Sequence, residues 1–171
     1  MIRVLALGDS YTVGEGVLAH QRWVEQWALR QRAQSVLIAA PVKVIAQTGW
    51  TTDELLQAIH QGQDLGSWDR VTLLIGVNNQ YRGRAVEQYR HDLKSLLQIA
   101  LTATGKSEHV QMLSIPDWGQ TPFGHASDRN LAEVSTEIDA FNRAAENLCR
   151  SFNCGFLDIT TATRTCSQDP A

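Results

Sequence analysis

The chain of 171 residues is short of cysteine (three), of proline (four) and of any long apolar run, and each scarcity excludes something. Cys149, Cys154 and Cys166 form an odd set without paired metal-type spacing, so free thiols are expected in place of a disulfide framework or a zinc site. No Pro/Ser linker, repeat or low-complexity tract breaks the chain, and its length suits one core, so residues 1–171 are read as a single domain. No stretch reaches the roughly 18 apolar residues of a membrane span, and the N-terminal apolar run is too short for a signal peptide. A cytoplasmic protein with no stable membrane anchoring is expected. A formal charge of −3 with both signs interspersed leaves no basic patch for a phosphate backbone, which argues against nucleic acid as a partner.

What the sequence does contain is alternation. Five short apolar runs, mostly rich in β-branched residues, read as buried strands: Ile2–Leu7, Val42–Ala46, Val71–Ile75, Val110–Ser114 and Gly155–Asp158. Between them, Val86, Tyr89, Leu93, Leu96, Leu97 and Ala100 follow helical spacing, as do Leu131, Val134, Ile138, Phe141, Ala145 and Leu148. Thr51-Thr52-Asp53-Glu54 has the form of a capping box, with Thr51 accepting from a backbone N–H and Glu54 reaching back, which starts a helix just after Gly49. Strands alternating with helices imply an α/β fold, a three-layer α/β/α sandwich with a five-stranded parallel sheet of flavodoxin-like kind.

The first strand runs straight into Gly8-Asp9-Ser10-Tyr11. A serine there lies at the carboxyl edge of the sheet, where open α/β folds build their sites. Gly-Asp-Ser is also an ordinary polar turn. The second strand, however, ends in Gln47-Thr48-Gly49-Trp50 and the third in Gly76-Val77-Asn78-Asn79, so three successive strand ends place a serine, a glycine and an asparagine on one edge. Asp9 reads as structural, because adjacent side chains on an extended segment point apart. The loop Ile115–Ser127 follows the fourth strand on the same edge and, at about 13 residues, is long for such a connection. Its Trp118 and Phe123 either wall a pocket or pack the loop onto its scaffold, and the sequence favours neither.

These segments together resemble the SGNH hydrolases, the GDSL family of esterases and lipases, and within it the lysophospholipase-like branch. The likeness covers Gly8–Gly16, Thr48–Glu54, Ile75–Arg84 and Leu113–Phe123. It implies the strand order 2-1-3-4-5, Ser10 as nucleophile, and an oxyanion hole made by the backbone N–H groups of Ser10 and Gly49 with the Asn78 side chain. It further implies a small-molecule acyl ester as substrate, an acyl-enzyme intermediate and no cofactor.

The resemblance lacks one block, the Asp-x-x-His that follows the fifth strand in the family and supplies the base. Asp169-Pro170-Ala171 does not look like the Asp-Gly-Leu usual before that histidine. The reading is therefore of a domain cut short at its C-terminus, without the family's final helix, leaving apolar surface exposed near strands one and five, with either self-association through it or lower stability than an intact relative. Of the five histidines, His20, His60, His91 and His109 have no reason to approach the site. His125, in the long loop, lies on the correct edge and is the one candidate for a surrogate base. The alternative to an esterase is a catalytically impaired remnant, or a non-catalytic member that binds small ligands.

Two further patterns fail on context. Gly14-Glu15-Gly16-Val17-Leu18-Ala19 matches a dinucleotide fingerprint, but the strand end is already occupied by Gly8 and no acid follows the second strand. Gly105-Lys106-Ser107 leads into a strand, where a phosphate-binding loop needs a helix.

Overall fold

The structure is a computed structural model, and it describes residues 1–62 and 65–166. In chain order the elements are β1 (Val4–Gly8), α1 (Ser10–Val13), α2 (Trp23–Ala33), β2 (Lys43–Ala46), α3 (Thr52–Gly62), β3 (Arg70–Leu74), α4 (Val77–Tyr81), α5 (Val86–Thr104), β4 (Val110–Leu113), α6 (Pro122–His125), α7 (Leu131–Phe152), β5 (Gly155–Leu157) and α8 (Thr160–Cys166). All neighbouring strands pair in parallel, in the order β2-β1-β3-β4-β5. The expected topology is found, and each strand lies within two residues of its expected bounds.

Period-two alternation divides β1 between the two sides of the sheet. Leu5 and Leu7 join Val71, Leu73 and Ile75 in the larger core, against Leu93, Leu96 and Leu97 of α5 and Val134, Ile138 and Phe141 of α7. Val4 and Ala6 face the smaller core with Val24 and Ala28 of α2. Burying each leucine contributes about 2 kcal/mol, so the long amphipathic helices anchor the domain. Helix α2 escapes a periodicity reading because only Val24 and Ala28 are buried along its 11 residues.

Every residue of β1 is buried, whereas in β5 Leu157 is 51% exposed, and Leu29 of α2 and Leu37, just before the Ile38 that bridges to Ile2, are exposed as well. A helix not foreseen, α8, follows β5. The Asp169-Pro170-Ala171 segment lies outside the described residues, as does the Cys166 side chain. Cys149 and Cys154 are free thiols, the first buried. Burial pushes the Cys149 thiol up to about 12, well away from a reactive thiolate. Among the described residues no helix is long and apolar enough to cross a membrane.

Because β1 lies between β2 and β3, its crossovers leave in opposite directions, and the β1/β3 boundary is the topological switch point where such sheets form a crevice. Gly8 is aligned with Ala46 of β2 on one side and with Leu74 of β3 on the other. The segments carrying Ser10, Gly49 and Asn78 therefore leave the sheet side by side.

Candidate active site

Ser10 is the first residue of α1, directly after the cap Asp9, whose Oδ1 accepts the Tyr11 N–H at 3.1 Å. The turn is tight: Thr12 and Val13 both donate their N–H groups to the Asp9 carbonyl. Ser10 is half-buried and lines a cavity of about 180 Å³ with Tyr11, Val77, Asn78, Tyr81, Trp118 and Phe123. The structure thus brings Ser10 and Asn78 to one hollow at the switch point. A hollow of about 810 Å³ lies between α3 and α5, but at the end of α3 remote from the strand ends.

Gly49 is not among the residues lining the Ser10 cavity, yet its loop is tied to that wall. Asn78 Nδ2 donates to the Trp50 carbonyl at 2.9 Å. Gly49 itself has φ +86, a conformation that side chains rarely adopt, which explains a glycine here. Behind the loop, the Thr51 N–H donates to Glu54 Oε2 at 2.8 Å, the reach-back half of the expected capping box. The other half differs. The Thr51 hydroxyl shares its proton between the Asp53 and Glu54 carboxylates, at 2.6 and 2.9 Å. The Thr51 N–H holds the Glu54 carboxyl below its usual range against partial burial, with the Thr51 hydroxyl and Arg82 adding to it.

Asn79, next to Asn78, is a buried clamp. Its Nδ2 donates to Thr52 Oγ1 at 2.8 Å, and its Oδ1 accepts the Thr52 N–H at 3.0 Å. The Thr52 hydroxyl passes on to Asp92 of α5 at 3.0 Å. Helices α3, α4 and α5 are thereby locked in register beneath the cavity.

Sequence reasoning missed Gln80 and Tyr81. Trp118 is buried and its Nε1 donates to Gln80 Oε1 at 2.8 Å, while Gln80 Nε2 donates to Glu137 of α7 at 2.6 Å. Tyr81 forms an aromatic trio with Trp118 and Phe123, with ring centroids 5.4 Å from Trp118 and 6.1 Å from Phe123. The signal was available, since Asn78 and Tyr81 stand three apart and share one face of a helix. Trp118 and Phe123 prove to do both of the things weighed for them: Trp118 packs the loop down, and both rings wall the cavity. The loop itself holds a 3-10 turn at Trp118–Gln120 and the short α6, capped by Thr121. Gly124 lies so close to the Trp118 carbonyl and Gly119 that any side chain there would collide.

His125 is exposed at the end of α6, and none of the five histidines lines the cavity. Topology put His125 on the correct edge, but the turn of α6 presents it to solvent. Among the described residues no group of three His, Cys, Asp or Glu side chains converges on a metal-sized site.

Asp9 is fully buried and its Oδ2 has no hydrogen-bond partner. Burial pushes its carboxyl up to about 7, although N–H groups of Tyr11, Asp9 and Gly76 favour the anion. Burial, assisted by Asp9 and Asp117, also pushes the Tyr11 phenol up to about 12. An acid whose pKa is raised on folding stabilises the fold fully below its unfolded value of about 3.9 and loses that contribution as pH rises to the folded value. Wild-type stability is therefore expected to fall between about pH 4 and 7 by more than that of Asp9→Asn, as read from urea midpoints at several pH values. Parallel profiles for the two proteins would show that Asp9 keeps an ordinary pKa.

The model of the GDSL-like lipase/acylhydrolase family matches residues 6–171. The chain belongs to this family. Solved structures agree on the fold. A lipase/acylhydrolase from Enterococcus faecalis is 21% identical, with a TM-score of 0.71 over 96% of this chain and 80% of that one. TesA is also 21% identical, with a TM-score of 0.70 over 90% of this chain and 76% of its own. The psychrotrophic esterase EstA from Pseudoalteromonas sp. is 16% identical, with a TM-score of 0.70 over 93% and 78% of the two chains. No curated protein matches the sequence significantly. GDSL-like membership makes ester hydrolysis the general chemistry of this family.

Proposed function

We propose that the chain is built for acyl transfer at Ser10, acting on a carboxylic ester of small size. Ser10 Oγ attacks the ester carbonyl carbon, its proton leaves to a base, and the carbonyl oxygen becomes an oxyanion. The N–H groups of Ser10 and Gly49 and the amide of Asn78 stabilise that charge. Collapse of the tetrahedral intermediate releases the alcohol, and water then hydrolyses the acyl-enzyme. The observation that carries this reading is the cavity shared by Ser10 and Asn78 at the β1/β3 switch point, with the Gly49 loop fastened to it through Trp50. Donors aimed in advance at a developing charge are the largest single contribution in many hydrolases, because they need no reorganisation during reaction.

The aromatic trio gives the cavity an apolar wall, which suits the acyl chain of the substrate better than a charged headgroup. A lysophospholipid, a short-chain ester and an acetylated sugar differ in acyl length as well as in the alcohol, and the trio bears on the acyl side alone.

A second reading rests on the absence of histidine from the cavity lining. A serine hydroxyl without a base is a weak nucleophile at neutral pH. On that reading the site binds small acylated ligands and turns them over feebly or not at all.

Hydrolysis of p-nitrophenyl butyrate with imidazole supplied as an external base separates the two. Turnover that saturates in imidazole and depends on Ser10 supports the esterase reading. In that assay Asn78→Ala is expected to lower kcat about 10²-fold, the usual loss for one oxyanion donor. An unchanged kcat would remove Asn78 from the oxyanion hole, and a folded protein showing no imidazole-dependent turnover would leave the binding reading.

A further inference from the structure

We infer that Arg82 is a positioning residue that holds the Gly49 loop in the geometry acyl transfer requires; this rests on the esterase reading above. The argument starts from the weakness of the loop. Thr48-Gly49-Trp50 turns through a glycine at φ +86, and a glycine is freer than any other residue to leave such a conformation. A backbone bond from the Trp50 N–H to the Gln47 carbonyl at 3.2 Å closes the turn, and side-chain contacts add to it.

Three side chains do so, each on a different residue. The Thr48 hydroxyl donates to Glu15 Oε2 at 3.0 Å. Arg82 Nη2 donates to the Gly49 carbonyl at 2.7 Å. Asn78 Nδ2 donates to the Trp50 carbonyl at 2.9 Å. Fixing the carbonyls of Gly49 and Trp50 fixes the two peptide planes that follow the Gly49 α-carbon. The Gly49 N–H lies in the plane before that carbon, so with the Thr48 side chain tethered and the turn closed on Gln47 its range of directions is narrowed.

The placement of Arg82 makes this more than a surface contact. Its own N–H donates to the Asn78 carbonyl at 3.1 Å, so it caps α4, the helix that carries the other proposed oxyanion donor. The guanidinium then spans from the Gly49 carbonyl to the Glu54 carboxylate at 3.4 Å, at the start of α3. Glu54 in turn accepts the Thr51 N–H. One planar fork therefore joins the end of α4, the Gly49 loop and the first turn of α3, a geometry that a lysine's single ammonium reproduces only in part. At 42% side-chain exposure the ion pair with Glu54 adds little to stability, so the contact with Gly49 is the one expected to matter.

The test compares wild type, Arg82→Ala and Arg82→Lys in the imidazole-supplied p-nitrophenyl butyrate assay, together with ¹⁵N relaxation of the Gly49 amide, which needs no turnover. Arg82→Ala is expected to lower kcat about tenfold with KM within twofold, since the substrate's wall is untouched. The Gly49 order parameter should fall from about 0.85 toward 0.6 while the melting temperature hardly moves. Arg82→Lys should recover part of both. An unchanged kcat, or a Gly49 amide as rigid in Arg82→Ala as in wild type, overturns the role. Wild type without Ser10-dependent turnover overturns the esterase reading instead, and with it any catalytic purpose for the clamp.

Discussion

Ser10→Ala is expected to abolish the imidazole-dependent hydrolysis of p-nitrophenyl butyrate and to change the imidazole-free rate very little. The asymmetry follows from how serine hydrolases lose activity. In the classic hydrolase case, removing the serine or the histidine alone costs about as much as removing the whole triad, roughly 10⁶ in kcat, because the groups work as a unit. A residual acceleration of about 10³ to 10⁴ over water remains from oxyanion donors and binding. On the esterase reading, with no histidine among the described residues that line the Ser10 cavity, the serine hydroxyl of this chain is expected to start from that residual level. Supplying a base restores general-base catalysis, which contributes typically 10² to 10⁴. Wild type is accordingly expected to gain at least about 10²-fold from saturating imidazole, after subtraction of the direct reaction of imidazole with the ester. Ser10→Ala should gain nothing beyond that background. His125→Ala should behave as wild type throughout, because the ring is exposed at the end of α6. Equal imidazole responses in wild type and Ser10→Ala would show that Ser10 is not the nucleophile.

The second large effect concerns the fold. Gly8→Ala is expected to destabilise the domain by about 3 kcal/mol or more, at the upper end of overpacking changes. Gly8 closes β1 in the middle of the sheet, aligned with Ala46 and Leu74 on either side. A Cβ at this position would collide with the Leu74 carbonyl oxygen and with Thr12 Oγ1. Neither neighbour can yield cheaply. The carbonyl belongs to the strand beside it, and Thr12 is fully buried inside the turn that presents Ser10. For a chain of this size the loss corresponds to a fall of roughly 6 to 12 °C in melting temperature, measurable by calorimetry or circular dichroism. A double variant Gly8→Ala/Thr12→Ser keeps the hydroxyl and removes only a methyl, so it should recover little of the loss. Gly8→Ala with an unchanged melting temperature would mean that β1 and β3 separate freely at this point, and that Gly8 is a turn residue only.

The strands, the two long helices and the three strand-end blocks were legible in the sequence because each is a local pattern. Apolar runs of β-branched residues, helical spacing of apolar positions, and Ser10, Gly49 and Asn78 each just after a strand need no knowledge of what packs where. Strand order was not legible from periodicity, which repeats identically in every parallel sheet; it came from resemblance to a family of known topology. Helix α2 was invisible for a related reason, since only Val24 and Ala28 of it are buried, with Trp23 and Trp27 partly so beside them. The tertiary structure alone decided matters that depend on residues distant in sequence. It turned Asn79 into a clamp on Thr52, gave Trp118 a partner in Gln80, closed the cavity with Tyr81, and joined Arg82 to Gly49 across 33 positions. It also pointed His125 outward, although the sequence placed it on the right edge of the sheet. The sequence determined which elements form and at which edge the chemistry gathers, because those follow from nearest-neighbour periodicity and strand ends. Which side chains meet there was left to packing, since hydrogen bonds and ring contacts between separate segments depend on the relative placement of whole elements.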